Sequence, residues 1–328
     1  MQLPFESVQK NILERKESLT DPAMGYDPHK RPISMLLNHG VININKPKGP
    51  TSHQVSDYVQ RILGIDKSGH GGTLDPGVTG VLPIAIGKAT RIVQALLPAG
   101  KEYVCIMHTH QEADEQELRK VMAEFTGTIR QLPPIKSAVK REERERVIYY
   151  LEILEIDGKD ILFMVGCQAG TYIRKLCHDI GKRLGCGAHM AELRRTKAGC
   201  FTEKNIFSLQ ELTDSFYYYK SEGKEEFLRK VILPIEEAVT HLPKIWVHDS
   251  AIQSLCHGRD LAIPGISKMH DTIKQDDLLA VHSLKGELIC LGIALLSSEE
   301  ILRKEKGIAV RTDKVFMEPE LYATHQNC

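Results

Sequence analysis

The sequence has no surplus of charge of either sign, no long apolar run and no leader-like start. Lysine plus arginine and aspartate plus glutamate each number 43, so the formal net charge is zero and a uniformly basic surface is excluded. The longest apolar runs, such as Gly286 to Leu296, are too short to cross a bilayer. The first residues carry no positively flanked apolar segment. We therefore expect no signal peptide, no membrane contact and a cytoplasmic location.

Paired cysteines are also missing, and with them the usual signature of a structural metal. The eight cysteines occur singly, without the Cys-x-x-Cys spacing of a zinc site, so we expect buried or idle thiols. His108 and His110 share one face of a predicted strand, and His178 or His189 could complete a cluster. No carboxylate and histidine pattern supports such a site. The sequence therefore predicts neither a metal nor any other cofactor.

The length and the apolar patterns indicate two folded regions. With 328 residues, 42% of them hydrophobic, the chain exceeds the usual size of one domain and can bury substantial cores. Residues 1 to 35 read as a charged helical stretch followed by extended Asp-Pro and Arg-Pro pairs. Strands and helices mix in the centre, where Asp114 to Phe125 is the clearest helix.

Beyond Leu242-Pro243 the pattern changes to short strands, with Lys285-Gly286 as a hairpin turn. A small β-barrel fits this pattern. The predicted strands are Lys244 to Val247, Asp260 to Pro264, Leu278 to Leu284, Glu287 to Leu296 and Ile308 to Val310.

One turn in the first half of the chain holds a carboxylate between glycines. Asp75 lies within Gly69 to Gly80, where glycines on both sides allow sharp backbone excursions and Pro76 fixes the geometry after the carboxylate. A large ligand could lie against such a turn. An ordinary Asp-Pro turn, in which Asp75 bonds to its own backbone, would have the same residues. The turn alone leaves both alternatives open.

The surrounding sequence favours the functional alternative, because Gly69 to Arg91 closely resembles the catalytic motif of the TruB and dyskerin family of RNA pseudouridine synthases. Further segments resemble that family in the same order, and the resemblance covers nearly the whole chain. These segments are Val41 to Ser52, Lys101 to Cys105, Gly170 to Leu176 and Ala191 to Arg195. After the first of them, Thr51 and Gln54 form a predicted capping box at the start of a helix.

The resemblance implies an α+β fold with two domains. The catalytic domain would have a mixed, mainly antiparallel sheet flanked by helices, and a small PUA β-barrel would follow it. The implied boundaries are 1–35 for an N-terminal extension packed on the PUA domain, 36–240 for the catalytic domain, 243–320 for the RNA-binding PUA domain and 321–328 for a tail. The implied reaction breaks the bond between C1′ and N1 of a uridine and rejoins the base through C5, without a cofactor.

The same resemblance assigns four side chains to this reaction. Asp75 would act at the ribose, either as nucleophile at C1′ or as base at C2′, and the sequence does not choose between these roles. Arg174 would pair with Asp75 and favour its charged form. Tyr103 would stack on the base near C5, and Tyr172 would line the pocket. Helical spacing supports Arg174, because the apolar positions from Ile173 to Leu184 leave it on a different face near the helix start. Without the resemblance, Arg174 would read as a surface ion pair and Tyr103 as a core residue.

RNA contacts are predicted at the catalytic motif, in a basic loop and in the PUA region. A uridine inside folded RNA must be extruded before reaction, and the resemblance suggests that His70 fills the vacated stack. The loop from Ile135 to Arg146 corresponds to the mobile thumb loop of the family, although glutamates offset half of its charge. A second patch, Arg194 to Lys197, either positions a phosphate or caps a surface. The predicted RNA-binding residues are His70, Lys46, Lys136, Lys140, Arg141, Arg144, Arg146, Leu193, Gly258 and Arg259.

One position departs from the family pattern. Related archaeal and eukaryotic sequences usually carry a lysine where this chain has Gly77. We therefore expect one phosphate contact fewer at the catalytic motif.

Within the family, the chain looks closest to the archaeal catalytic subunit of H/ACA ribonucleoproteins. The segment Tyr172 to Arg195, the extension before Lys46 and the short PUA-like region carry this likeness. It implies guide RNA, substrate RNA (rRNA, and tRNA at uridine 55) and small accessory proteins as partners, inside an archaeal cell. A stand-alone tRNA pseudouridine-55 synthase is the alternative, and an inactive RNA-binding scaffold is a third possibility. The sequence identifies neither the target uridines nor the oligomeric state.

Overall fold

The computed structural model describes residues 1–132 and 142–322. The strands in these ranges, numbered along the chain, are β1 (Ile12–Glu14), β2 (Gly40–Lys46), β3 (Ser68–His70), β4 (Thr79–Ile86), β5 (Lys101–Thr109), β6 (Gly127–Gln131), β7 (Arg144–Asp157), β8 (Asp160–Cys167), β9 (Ala188–Ala198), β10 (Phe201–Thr202), β11 (Ile232–Pro234), β12 (Lys244–Val247), β13 (Leu261–Ala262), β14 (Ile266–His270), β15 (Leu278–His282), β16 (Leu288–Ala294) and β17 (Ile308–Val315).

The helices of the same ranges are numbered separately. The α-helices are α1 (Ile33–His39), α2 (Ser52–Leu63), α3 (Val93–Leu96), α4 (Glu115–Glu124), α5 (Ile173–Leu184), α6 (Leu209–Glu222), α7 (Glu225–Val231), α8 (Asp249–Cys256) and α9 (Ser298–Arg303). Short 3-10 helices lie at Pro4–Glu6, Pro28–Lys30, Gly87–Ile92, Glu203–Asn205, Ile235–Val239, Ile263–Gly265 and Pro319–Tyr322. No helix of the described ranges has the length and apolar character needed to cross a bilayer.

Ten strands form one large sheet. Its order is β11-β2-β4-β9-β5-β8-β7-β6, with β3 beside β4 and β10 beside β9. Neighbouring strands are antiparallel except β4 and β9, which are parallel and place Thr79 opposite Arg194. The mixed, mainly antiparallel sheet expected from the sequence is confirmed. The parallel pair joins the end of the Asp75 turn to the strand that carries Leu193.

Helices cover this sheet over two apolar cores. α4 and α5 pack on β5, β7 and β8 around a core that includes Phe163 and Leu176. α1, α2, α6 and α7 pack on β2 and β4 around a core that includes Ile44 and Leu82. The helix predicted from Asp114 is confirmed as α4, with the Asp114 carboxylate accepting a hydrogen bond from the Glu117 N–H at 3.0 Å.

The start of α2 follows the sequence prediction in detail. The Thr51 hydroxyl accepts from the Gln54 N–H at 3.1 Å, and the Gln54 side chain accepts from the Thr51 N–H at 2.8 Å. This capping box satisfies two donors that a helix start would otherwise leave unpaired. The helix ends at Gly64, whose φ of 64° is the left-handed conformation that glycine adopts without strain.

The second sheet has seven strands in the order β1-β14-β12-β15-β16-β17-β13. Its inward side chains share one core, which includes Ile245, Leu279 and Ile289. β12 has the predicted bounds, and β15 and β16 flank the predicted turn at Gly286. This is the small β-rich C-terminal region expected from the sequence. β14 was not predicted, because Ser, Lys and His occupy three of its five positions and mask its alternation.

A third core joins the two sheets. Alternation along β4 directs Val81 away from Leu82, into a cluster with Leu288, Leu291 and Phe316 of the C-terminal region. β2 and β4 are therefore buried on both faces, by helices on one side and by the second sheet on the other. This packing fixes β4, the strand that follows the Asp75 turn.

The N-terminal segment differs from the prediction. The expected helix is absent from residues 1–35 before α1; a 3-10 turn at Pro4–Glu6 and strand β1 take its place. β1 pairs antiparallel with β14, with Leu13 opposite Met269. Pairing with the edge of the sheet satisfies the backbone hydrogen-bond donors and acceptors of β1. This tertiary contact overrides the local helix propensity of the segment. The segment thus lies against the C-terminal sheet.

Candidate active site

Asp75 lies on the turn between β3 and β4, and its side chain is 54% exposed. The turn is closed by a bond from the Val78 N–H to the Asp75 carbonyl at 3.0 Å. Leu74, the residue before Asp75, is held by Ser52 at the start of α2. The Ser52 hydroxyl accepts from the Leu74 N–H at 2.8 Å and donates to the Leu74 carbonyl at 3.1 Å. The backbone is therefore fixed on both sides of the carboxylate, whereas the carboxylate itself faces solvent.

Arg174 meets this carboxylate from the first turn of α5. Its Nη2 donates to Asp75 Oδ2, and the two side chains are about equally exposed, at 55% and 54%. The apolar positions of α5 face the core as predicted: Ile173, Leu176, Cys177 and Ile180 are buried. The expected pairing of Arg174 with Asp75 is present, and it joins segments 99 residues apart in the sequence.

Lys46 has a different position from the one predicted. Its side chain is fully buried, and its Nζ donates to the carbonyls of Pro47, Pro76 and Val78 at 2.9, 3.1 and 2.9 Å. The prediction of an RNA contact for Lys46 is therefore wrong, because all three ammonium protons go to the protein backbone. Burial lowers the pKa of this ammonium group, and the nearby Asp75 carboxylate opposes that shift. Lys46 therefore stabilises the Asp75 turn from its buried side, through the carbonyls of Pro76 and Val78.

Tyr103 lies on β5, directly across from Arg195 of β9. It is half-buried, and burial raises the pKa of its hydroxyl while the adjacent Arg195 guanidinium acts in the opposite direction. The Asp75 carboxylate makes a smaller contribution that also raises the pKa of Tyr103.

Tyr172 immediately precedes α5, two residues before Arg174. The Gln131 side chain fixes its backbone, accepting from the Tyr172 N–H at 3.0 Å and donating to its carbonyl at 3.2 Å. Gln131 is buried, at 3% exposure. The sequence analysis missed this supporting role, because an isolated glutamine carries no local signal for a partner 41 residues away.

His70 ends β3, five residues before Asp75. Its ring lies edge-on to that of His53, with centroids 4.8 Å apart, and neither ring nitrogen has a hydrogen-bond partner in the described residues. Burial lowers the pKa of His70 to about 4, with His53 adding to the effect. The imidazole is therefore neutral at physiological pH and suited to stacking rather than to a charged phosphate contact.

The other predicted RNA contacts are spread over the surface. Leu193 is half-buried on β9, and Arg144 and Arg146 lie at the start of β7. Gly258 and Arg259 are exposed after α8, where the Arg259 carbonyl accepts from the Thr312 hydroxyl at 2.8 Å. Lys136, Lys140 and Arg141 lie outside the described residues.

The Arg194 to Lys197 patch divides between surface and interior. Arg194 is partly exposed and bonds to Asn45, Thr79 and Glu203, whereas Arg195 is 1% exposed. The interpretation as a surface patch is therefore wrong for Arg195. Alternation along a strand was the available signal, since adjacent residues of β9 point to opposite faces.

The histidines considered for a metal form small pairs. His108 Nδ1 lies 2.7 Å from Asp160 Oδ1, and His110 Nε2 lies 3.3 Å from His189 Nδ1. Within residues 1–132 and 142–322, no three His, Cys, Asp or Glu side chains are grouped so that they could hold a metal ion.

Gly77 stands beside an exposed lysine. The Gly49 N–H donates to the Pro76 carbonyl at 2.9 Å, which brings the loop of Lys48 onto the Asp75 turn. The Lys48 Nζ is 3.7 Å from Glu192, and its side chain is 69% exposed. A side chain at Gly77 would enter open space, since no atom lies within 4 Å of the position of its Cβ.

Models of known families match almost the entire chain. Residues 60–173 match the N-terminal domain model of the TruB family of pseudouridylate synthases, and residues 174–240 match the C-terminal domain model of tRNA pseudouridylate synthase B. Residues 2–56 match the DKCLD (NUC011) domain, and residues 243–316 match the PUA domain.

Individual relatives are similar over more than nine-tenths of their length. A Nanoarchaeum equitans protein named "Probable tRNA pseudouridine synthase B" is 56% identical over 320 residues, which cover 98% of this chain and 92% of that protein. A Pyrococcus furiosus protein of the same name is 53% identical over 321 residues, with coverages of 98% and 94%.

Two solved structures have the same fold. The structure titled "Crystal Structure of a Cbf5-Nop10-Gar1 Complex" superposes with a TM-score of 0.95 at 53% identity and covers 98% of both chains. A second, "Structure of H/ACA RNP bound to a substrate RNA containing 2'-deoxyuridine", gives a TM-score of 0.93 at 51% identity, with coverages of 98% and 99%. The α+β fold expected from the resemblance is confirmed. The chain belongs to the TruB and dyskerin family, and it is an RNA pseudouridine synthase with a C-terminal PUA domain.

Proposed function

We propose that this enzyme isomerises specific uridines of rRNA and tRNA as the catalytic subunit of a guide-RNA-directed H/ACA ribonucleoprotein. The observation that carries the site assignment is the exposed Asp75–Arg174 pair on a turn whose backbone is fixed by Ser52 and Lys46. A carboxylate that is open to solvent but rigidly supported can meet the ribose of an extruded nucleotide.

Each predicted catalytic residue has a distinct task in this proposal. Asp75 acts on the ribose, by attack at C1′ or by proton removal at C2′, and both routes require the ionised carboxylate. The Arg174 guanidinium favours that ionised form. Tyr103 and Tyr172 form the walls that hold the freed uracil while it turns, and the C5–H proton leaves beside Tyr103. Leu193, on β9 beside the strand β4 that follows the Asp75 turn, contacts the RNA.

The RNA-binding surface in this proposal extends away from the site. His70 fills the gap that the extruded uridine leaves. Arg144 and Arg146 approach the RNA backbone at the start of β7, and Lys136, Lys140 and Arg141 are included on sequence grounds. Gly258 and Arg259 contact RNA at the C-terminal sheet.

The assignment to a ribonucleoprotein is supported by the similar structures. Their titles describe a complex with Nop10 and Gar1 and an H/ACA particle bound to substrate RNA. We extend these partners to this chain, together with a guide RNA, because the similarity covers 98% of its length in both cases. Such a particle acts inside the cell, which in this proposal is archaeal.

A stand-alone tRNA pseudouridine-55 synthase is the second candidate. The names of the relatives favour it, since those proteins are named tRNA pseudouridine synthase B. The two activities are compatible in one enzyme, because both place a uridine against the same carboxylate.

Mapping of modified uridines separates these candidates. The purified protein is incubated with a tRNA transcript alone, and with an rRNA fragment, its guide RNA and the accessory proteins. We expect guide-dependent modification of the rRNA fragment and a slower reaction at position 55 of tRNA. Modification of tRNA without any guide-dependent modification of the rRNA fragment would overturn the ribonucleoprotein proposal. Normal RNA binding without pseudouridine in any sample would instead favour the inactive scaffold.

A further inference from the structure

Arg195 is a buried cation whose hydrogen bonds go to backbone carbonyls. Its side chain is 1% exposed and among the largest fully buried ones. The Nε donates to the Val81 carbonyl at 2.7 Å, and Nη2 donates to the Gly72 carbonyl at 3.0 Å. None of the ion pairs in the described residues includes Arg195, although its neighbour Arg194 pairs with Glu203. Burying a guanidinium without a carboxylate is costly, so its position requires an explanation.

Two glycines of the Asp75 segment lie close to Arg195. Gly80 lies against the Arg195 backbone so closely that any Cβ there would collide with it. Gly72 has a φ of 138°, and the position of its Cβ would be 3.5 Å from Arg195 Nη1. Both glycines belong to the segment that presents Asp75. The guanidinium therefore ties the start of that turn to β4 and β9.

Tyr103 is the site residue that Arg195 faces. The two are direct partners across β5 and β9, so their side chains project from the same face with Cβ atoms about 5 Å apart. Their side chains also interact with each other. The adjacent Glu102 is engaged elsewhere, with Thr196 at 2.8 Å and with Lys197 at 3.3 Å.

We propose that Arg195 is a positioning residue that acts through Tyr103, fixing its ring beside the uracil relative to the Asp75 turn. This inference rests on the proposed role of Tyr103 near C5. The Arg195 guanidinium bonds to the backbone at Gly72 and interacts with the Tyr103 phenol. It therefore sets the distance between Asp75, which acts on the sugar, and Tyr103, which contacts the base. Arg195 itself does not touch the RNA, because it has no exposed surface to offer.

A double-mutant cycle tests this coupling. Arg195→Lys keeps the charge but loses the forked geometry, and Tyr103→Phe removes the hydroxyl that interacts with the guanidinium. We expect Arg195→Lys to lower kcat on the order of 10- to 100-fold with little change in the Kd for RNA. In the Tyr103→Phe background, the same substitution should cost less than about twofold. Arg194→Lys, on the other face of β9, is the matched control and should show no coupling with Tyr103.

A second readout follows the C5–H bond directly. If Tyr103 is displaced, loss of the C5 proton becomes slow, so substrate RNA deuterated at C5 should give a primary isotope effect with Arg195→Lys that exceeds the wild-type value. An equal loss of kcat in both backgrounds, or a loss confined to RNA affinity, would overturn the proposal. Arg195→Gln is the second variant, and failure of both variants to fold would assign Arg195 to structure alone and also overturn it. If Asp75→Asn stays active, the proposed site has failed; if Asp75→Asn is inactive and Arg195 shows no coupling, only this inference has failed.

Discussion

Two arginine–carboxylate pairs in this molecule have the same chemistry and opposite surroundings. Arg174 and Asp75 meet at the surface, with side-chain exposures of 55% and 54%. Arg31 and Glu236 meet in the interior, at 7% and 9%, through two bonds of 2.9 and 2.8 Å. Exposed pairs contribute at most about 1 kcal/mol to stability, whereas breaking a buried pair costs several times more. The second pair therefore contributes more to the stability of the fold, and the first leaves its carboxylate open to solvent, as the proposed function requires.

The buried pair belongs to a larger network at the junction of the N-terminal segment and the two sheets. Glu236 also accepts from the Leu288 N–H at 2.7 Å. Arg31 lies 3.9 Å from Glu287, which accepts from the Tyr26 N–H at 2.9 Å and from the Tyr322 hydroxyl at 2.6 Å. Residues from three distant parts of the chain thus hydrogen-bond to one another at this junction.

The largest expected effect is on activity, at the exposed pair. Asp75→Asn should lower the rate of tritium release from C5-labelled RNA by at least about 10⁴-fold, because the carboxylate acts on the ribose in either mechanism. Its free energy of unfolding should change by less than about 1 kcal/mol, as measured by urea denaturation. Persistent turnover by this variant would remove the basis for calling the exposed pair a site.

The next largest effect is on stability, at the buried pair. Glu236→Ala leaves the Arg31 guanidinium buried without its partner, so it should lower the free energy of unfolding by about 3–5 kcal/mol. Chemical denaturation monitored by circular dichroism provides the measurement. Glu299→Ala is the matched control, because Glu299 pairs with Arg303 at 79% exposure on both sides and should change stability by less than about 1 kcal/mol. Similar losses for both variants would contradict the comparison.

Acid should destabilise the folded protein through three histidines whose pKa values are lowered by burial. Burial lowers the pKa of His241, His270 and His282 to about 4, below the value of about 6.5 in an unfolded chain. Between these values the unfolded chain binds protons that the folded protein excludes, so stability present above pH 6.5 is lost as the pH falls towards 4. His282, at 1% exposure, should contribute at most about 3 kcal/mol to this loss.

Urea unfolding at a series of pH values measures that dependence. His282→Gln removes one titrating group, so its free energy of unfolding should fall less steeply between pH 6.5 and 4 than that of the wild type. Parallel curves for the two proteins would show that His282 does not titrate in this way.

The smallest expected effect is at Gly77, near the exposed Asp75–Arg174 pair. Gly77→Lys adds a cation in open space beside the Asp75 turn, so it should tighten RNA binding by less than about tenfold and steepen the salt dependence by about one counterion. Gly77→Ala is the uncharged control. Filter binding at several salt concentrations gives both quantities, and equal affinities for the two variants would exclude a phosphate near this position.

Local patterns predicted the elements that hold the site. The capping box at Thr51, the apolar stripe of α5 and the helix after Asp114 all depend on residues within one or two turns, and all three are confirmed. The pairing of Arg174 with Asp75 needed the family resemblance as well, because no local signal connects segments 99 residues apart.

The interior polar groups could not be predicted in the same way. Lysine and arginine are mostly exposed in proteins, so Lys46 and Arg195 read as surface residues. Their burial depends on carbonyls at Val78, Gly72 and other positions that become acceptors once the strands have assembled. β1 was missed for a related reason, since it is stabilised by its pairing with β14, about 250 residues away, rather than by its own composition.

The apolar core shared by the two sheets has a consequence for substrate length. Because Val81 of β4 packs with Leu288 and Phe316, the C-terminal sheet cannot swing independently of the strand that leads away from Asp75. For an RNA bound at Arg259, the distance from that contact to the Asp75 carboxylate would therefore be constant. The number of nucleotides between the anchored end and the modified base is then dictated by protein packing, and inserting or removing a base pair in that interval would move the wrong nucleotide to Asp75.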